Sequence, residues 1–112
     1  MSTTLVHDAI RESEIRGFVD RGATIVVVAA DEPRRVTSGL AGRWEVHAET
    51  RGDRRFLVTS RDPSRPRGFK TVSGLISFLN ELGFEQVSVP MRKGIEARLA
   101  AEPVNAHRIG SA

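Results

Sequence analysis

The hydrophobic positions of the chain fall into short runs separated by polar segments rich in glycine, proline and charge. Residues 24–30 form a β-branched run without alternation, which is typical of a strand covered on both faces. Residues 43–50 alternate instead, and this pattern predicts a strand with one solvated face. The apolar positions of that second strand are Trp44, Val46 and Ala48. We expect the first strand to be central in the sheet.

A polar turn at residues 51–54 leads from the alternating strand into a second predicted strand at residues 55–61. The two strands together predict a β-hairpin, in which Phe56 and Val58 face the core. Residues 62–68 contain two prolines and a glycine, which remove ladder donors and relax the backbone. This segment predicts an exposed loop.

The clearest helical pattern follows that loop. Its apolar positions at helical spacing are Val72, Leu75, Ile76, Leu79 and Leu82. Thr71 or Ser73 supplies the side chain that caps the first turn. Gly83 stands where a helix ends in the left-handed conformation, and Phe84 is placed to contact Leu79 in a Schellman ending.

Helical patterns are also predicted near both ends of the chain. Residues 4–21 are compatible with a helix, but their apolar positions lie on two opposite sides. We therefore expect that helix either to be held on both sides or to break near residues 12–14. Residues 85–90 alternate and predict a short strand, and residues 91–101 predict a short closing helix.

The predicted elements run in the order α-β-β-β-α-β-α. Such an order indicates an α+β fold, with an antiparallel meander sheet packed on one amphipathic helix. A length of 112 residues fits one compact domain, which we place at residues 1–101. Residues 102–112 are expected to form a flexible tail.

The composition excludes several kinds of site. The chain contains no cysteine, so disulfides, thiolate metal sites and iron–sulfur clusters are ruled out. Its longest apolar run is far shorter than the roughly 20 residues of a membrane-spanning helix. The first ten residues lack the basic region of a signal peptide. A cytoplasmic protein is therefore expected.

The positive charge of the chain is concentrated in one segment. The formal charge is only +3, but residues 51–70 hold seven basic and two acidic residues. We expect the basic side chains of the hairpin and loop to form an arc at one end of the sheet, built from Arg54, Arg55, Arg61, Arg65, Arg67 and Lys70. Such an arc would contact phosphates of DNA or RNA with salt-sensitive and mostly sequence-independent affinity. Alternatively, these arginines only keep a sheet edge soluble and unpaired.

Two groups of titratable residues are candidates for a catalytic or metal site. Asp31 and Glu32 follow the most hydrophobic strand, where carboxylates of α/β active sites often lie. His47 shares the outward side of its strand with Glu45 and Glu49, as in a carboxylate-assisted base or a weak metal site. A charged turn and a solvated strand face are the simpler explanations of the two groups. Because neither group has a suitably spaced partner, we expect no enzyme, no metal and no cofactor.

The N-terminal helix supports an alternative function. Its side formed by Ile15, Phe18 and Val19 has no obvious partner within so short a chain, which predicts an oligomer interface. In this interpretation the protein is an interaction module that forms homo-oligomers, such as a homodimer. The basic segment is then only a solvated edge.

A hairpin bearing Trp44 leads into a Phe-Lys-Thr helix start at residues 69–71 and a Phe-Leu-x-x-Leu-Gly ending at residues 78–83. With these features, residues 43–89 resemble small accessory proteins of bacterial plasmid partition and maintenance operons. The resemblance implies an accessory or regulatory protein that acts beside DNA. It carries over no functional residue.

Overall fold

The computed structural model describes residues 9–37 and 39–100. In chain order the elements are β1 (Ala9–Arg11), α1 (Glu12–Asp20), β2 (Thr24–Ala29), β3 (Arg34–Val36), β4 (Gly39–Thr50), β5 (Asp53–Val58), β6 (Phe69–Thr71), α2 (Val72–Glu81) and β7 (Glu96–Ala100). The predicted α+β class is confirmed. The predicted order is not, and the sheet is mixed rather than an antiparallel meander, because β1 pairs with β5 in parallel.

The long strand β4 organises the sheet. Strands follow the order β1-β5-β4-β2-β7 across the main sheet, and β3 and β6 also pair with β4. Strand β4 has 12 residues, so β3 and β6 can pair with its first part while β2 and β5 pair with its second part. The segment between β2 and β4, where the predicted order has no element, therefore contains a strand.

Both helices cover the same face of the sheet. The predicted inward positions Trp44, Val46 and Ala48 are buried there, together with Ile25 and Val27 of β2. Burial of these apolar side chains against the helices is the main favourable term in folding. We call this side the helix face and the opposite side the open face, since neither helix covers it.

The β4–β5 hairpin differs from the prediction by its register. Its turn has only two residues, Arg51 and Gly52, with φ angles of 44° and 83°. Such a turn matches the twist of the strands and pairs Thr50 with Asp53. Since side chains alternate between faces along a strand, the register places Leu57 on the helix face. The expectation that Phe56 faces the core is therefore wrong, because Phe56 is only half-buried and lies beside His47. Val58 is buried as predicted, with 1% exposed, but it lies outside the cluster beneath the helices.

Helix α2 begins and ends as its sequence predicts. The Thr71 hydroxyl oxygen accepts a hydrogen bond from the Gly74 N–H at 3.0 Å. At the other end, Gly83 has a φ of 104° and the Phe84 N–H donates to the Leu79 carbonyl at 3.2 Å. One predicted core position differs, because Ile76 is 41% exposed.

The predictions for residues 85–90 and 91–101 are wrong. The first segment forms no strand, and the second contains strand β7 instead of a helix. Gly94 has a φ of 87°, which no α-helix contains, and its N–H donates to the Ala29 carbonyl at 2.8 Å. The apolar strand β2 offers a second edge, and β7 pairs with it. Tertiary pairing thus overrides a weak helical pattern.

The predicted N-terminal helix is broken before residue 12, as its apolar positions on two opposite sides indicated. Residues 9–11 form β1, where Ile10 is buried, and α1 begins only at Glu12. Residues 4–8 of the predicted helix and the predicted tail at residues 102–112 lie outside the described residues. Neither α1 nor α2 is long and apolar enough to span a membrane.

Replacement of the α2 cap tests its contribution to stability. We expect Thr71→Ala to lower the free energy of unfolding by about 1 kcal/mol, because the Gly74 N–H loses its acceptor. Thr71→Ser keeps the hydroxyl and should retain most of the stability. Urea unfolding followed by circular dichroism measures both variants, and equal losses would show that the cap bond is not responsible.

Candidate nucleic-acid interface

The structure distributes the six predicted basic residues over several surfaces. Arg54 and Arg55 are neighbours in β5, so their side chains leave the sheet on opposite faces. Arg67 lies at the end of the loop between β5 and β6, and Lys70 lies in β6. The expected single arc is therefore not formed by all six residues.

Arg54 is part of an ion-pair network on the open face. Its Nη2 lies 2.9 Å from the Glu96 carboxylate, and its Nε donates to Nδ1 of His47 at 3.0 Å. Arg98 extends the network to Glu49 through a contact of 2.9 Å. These contacts join the β4–β5 hairpin to β7, since Arg54 and Glu96 are 42 residues apart in sequence. The positive charge of Arg54 is thus compensated within the molecule.

Arg55 is engaged on the helix face. It donates to the Asp53 carboxylate at 3.2 Å, and its guanidinium lies 5.4 Å from the centre of the Phe18 ring. Arg21 approaches the same ring at 5.2 Å. Cations over an aromatic face are attracted by its quadrupole. The Arg55 contact connects the end of α1 with β5.

Arg67 connects the loop before β6 to helix α1. It forms an ion pair with Glu12 at the start of α1, and its guanidinium lies 4.4 Å from the centre of the Phe69 ring. The backbone N–H of Arg67 donates to the Leu57 carbonyl at 2.7 Å. Because its side chain is largely covered by these contacts, Arg67 is poorly placed to meet a ligand.

The remaining basic residues of this segment are exposed. Among the described parts of the chain, Arg61 and Lys70 make no side-chain hydrogen bond, ion pair or ring contact. Arg65 is 78% exposed and has one distant partner, Asp62 at 3.9 Å. These three residues stay free to bind an anion.

Two further exposed cations lie in β3, on the other side of β4 from Lys70, and the sequence pattern did not single them out. Arg34 and Arg35 are exposed in β3 and likewise have no side-chain partner within residues 9–37 and 39–100. Ala41 of β4 pairs with Arg34 on one edge and with Thr71 of β6 on the other. Adjacent strands are about 4.8 Å apart, so β3 and β6 lie about 10 Å apart across β4. The backbone of Lys70 is therefore near that of the two arginines, whose side chains leave β3 on opposite faces.

The end of the loop before β6 is bonded to β4, and the rest of the loop is held by bonds of its own. Arg43 donates to the Pro66 carbonyl at 3.0 Å, and the Asp62 N–H donates to the Thr59 hydroxyl oxygen at 3.1 Å. Ser64 adds a bond of 2.9 Å to the Asp62 carboxylate. Only Pro66 is thereby tied to β4, because Pro63 and Ser64 line a hollow with Ala9 and Glu14 beside β1 and α1. We use the name cationic end for the exposed cations of β3, of β6 and of the loop before β6, which are Arg34, Arg35, Arg61, Arg65 and Lys70.

Helix α1 offers little apolar surface to a partner. Ile15 and Val19 are 0% and 5% exposed and belong to the protein's own core. Phe18 is half-buried and lies between Arg21 and Arg55. These side chains thus pack in the core between α1 and the sheet. They therefore give no reason to place an oligomer interface at this helix.

The titratable groups considered for catalysis remain apart. His47 pairs with Val26 of β2, and Asp31 lies five residues farther along the chain, roughly 16 Å away if that chain is extended. Glu32 accepts from the Lys93 N–H at 3.0 Å and so secures the loop before β7. Among the described residues, no three His, Asp or Glu side chains are grouped to hold a metal ion.

His47 is held neutral by its surroundings. Burial lowers the pKa of its imidazole below the usual 6.5, and the nearby Arg54 charge acts in the same direction. Glu45, 3.4 Å from Nε2, opposes this shift. Nδ1 accepts the Arg54 bond, which leaves Nε2 to carry the proton toward Glu45. The hydrogen bond from Arg54 also lowers the pKa of the Glu96 carboxyl.

The lowered His47 pKa predicts a pH dependence of stability. The unfolded chain binds this proton more readily than the folded one, so the free energy of unfolding is highest above pH 6.5 and falls as pH drops through the folded pKa. Urea unfolding between about pH 7.5 and 5.5 should show this decrease. His47→Gln should flatten the profile in that range, and an unchanged slope would assign it to other groups.

Comparison of the chain with protein-family models, with curated proteins and with solved structures finds no match. The resemblance of residues 43–89 to plasmid accessory proteins therefore stays a prediction.

Proposed function

We propose that this chain is a non-enzymatic accessory protein of the cytoplasm that binds nucleic acid through the phosphate backbone. The observation that carries the proposal is the pairing of β3 and β6 on either side of β4. This pairing brings the backbones of Arg34, Arg35 and Lys70 to one end of the sheet, with the Arg34 and Arg35 side chains on opposite faces of β3. No described carboxylate compensates these three charges. Exposed cations without internal partners are available to replace the counterions of a polyanion.

The chemistry of the cationic end suits phosphate. Four of its five members are arginines, whose planar guanidinium donates two parallel hydrogen bonds to phosphate oxygens. Contacts of this kind fix a protein on the backbone without reading bases. The exposed apolar side chain of Val36, 38% accessible, lies in the same strand as Arg34 and Arg35 and offers a surface to a sugar or base.

The salt dependence follows from the number of cations. Each phosphate neutralised on a duplex contributes about −0.9 to the slope of log K against log salt, and on a single strand about −0.7. If all five cations contact phosphates of a duplex, the slope of log K against log salt is about −4.5, and fewer contacts give a shallower slope. The likeness of residues 43–89 to proteins that act beside DNA agrees with this role.

Binding is tested with a labelled duplex and a labelled single strand, titrated by fluorescence anisotropy at about 50 mM and 200 mM salt. The wild-type protein should bind at low salt and weaken at high salt. The variant Arg34→Gln/Arg35→Gln/Lys70→Gln should lose affinity by roughly tenfold or more at low salt, since three phosphate contacts are removed.

A matched control removes three positive charges elsewhere. Arg16→Gln/Arg21→Gln/Arg51→Asn alters α1 and the β4–β5 turn, and Asn tolerates the φ of 44° at position 51. This control should retain binding to within about threefold. Absence of wild-type binding at low salt, or equal losses in the two variants, would reject the cationic end as the site.

A further inference from the structure

Strand β7 is an edge of the sheet that no described element covers. It pairs with β2 on one side, and nothing in the described chain pairs with its other side. It has no proline and no bulge, and its residues Glu96 and Arg98 are exposed. A row of unpaired backbone groups at such an edge is a template for another strand.

The hydrogen-bonding pattern identifies the free backbone groups. The Ala29 N–H donates to the Ile95 carbonyl at 3.1 Å, so the carbonyl of Ile95 points toward β2. Hydrogen-bonded positions alternate along an antiparallel ladder, so Ala97 and Leu99 also face β2. The backbone groups of Glu96 and Arg98 therefore point away from the sheet.

The charges on β7 select one way of joining two copies. Antiparallel pairing about a two-fold axis can be centred on Glu96, Ala97, Arg98 or Leu99. A centre at Leu99 sets Arg98 opposite position 100 and joins no opposite charges. Centres at Glu96 or Arg98 place two like charges directly opposite each other, which is destabilising. The centre at Ala97 places Glu96 of each copy opposite Arg98 of the other, and their outward backbone groups then meet as hydrogen-bonded pairs.

We propose that two copies of this chain associate edge to edge through β7, with the two-fold axis at Ala97. The product is one continuous sheet that joins the five-stranded paths of both copies. Glu96 and Arg98 already belong to the open-face network through Arg54 and Glu49, so the new ion pairs extend that network across the junction.

Apolar contacts on the helix face support the same register. Ile95 is 52% exposed, and it comes opposite Leu99 of the second copy when Ala97 is the centre. The small side chains of the two Ala97 residues meet at the axis without crowding. An edge contact of this length buries a small area, so we expect dissociation constants on the order of tens of micromolar.

Sedimentation velocity tests the association over about 1 to 300 µM protein. The wild-type chain should pass from monomer to dimer over this range. Glu96→Arg alone sets the introduced arginine against Arg98 of the second copy, and Arg98→Glu alone sets the introduced glutamate against Glu96. Each variant should therefore be monomeric. An equimolar mixture of the two restores opposite charges at every pair and should form a heterodimer.

The mixing experiment separates the interface from folding, because damage to the fold is not repaired by a second damaged copy. Circular dichroism checks that both variants are folded. If either one unfolds, Ala97→Lys keeps both charged residues and should still weaken the dimer at least tenfold through repulsion at the axis. A wild-type monomer at all concentrations, variants that still dimerise, or folded variants whose mixture stays monomeric would overturn the proposal.

Discussion

Hydrogen bonding to both edges of β4 is the constraint on which the rest of the structure depends. Strands β2, β3, β5 and β6 all pair directly with it, while β1 and β7 are attached through β5 and β2. The 12 residues of β4 permit this arrangement because its two halves serve different neighbours. The second half builds the main sheet and its core, and the first half carries the strands that form the cationic end.

Much of this fold follows from local sequence patterns. The alternation around Trp44, the apolar run of β2 and the ends of α2 all predicted their elements, because each is determined by neighbours in sequence and by burial of one face. The failures lie where pairing between distant segments decides the outcome. Residues 96–100 become a strand because β2 has a free edge, and the face of Leu57 depends on a turn two residues long. Neither fact is visible in a single window of sequence.

The candidate site shows the same limit in its electrostatics. The charge of residues 51–70 looked like one surface, but Arg54 and Arg67 are paired with Glu96 and Glu12, which lie in other parts of the chain. Conversely, Arg34 and Arg35 belonged to a segment without a clear pattern, and only the pairing of β3 with β4 brings their backbone within about 10 Å of β6, where Lys70 lies. A count of charges along a sequence thus overestimates the free charge wherever the fold supplies distant carboxylates.

The buried indole of Trp44 has a spectroscopic consequence. The chain contains one tryptophan and no tyrosine, so its near-ultraviolet emission arises almost entirely from this position. The side chain is 0% exposed, and its Nε1–H donates to the Pro90 carbonyl at 2.9 Å, which ties the segment before β7 to the middle of β4. Emission from Trp44 therefore reports on the detachment of that segment, and it gives this protein a built-in optical probe of the junction between its central hairpin and its last strand.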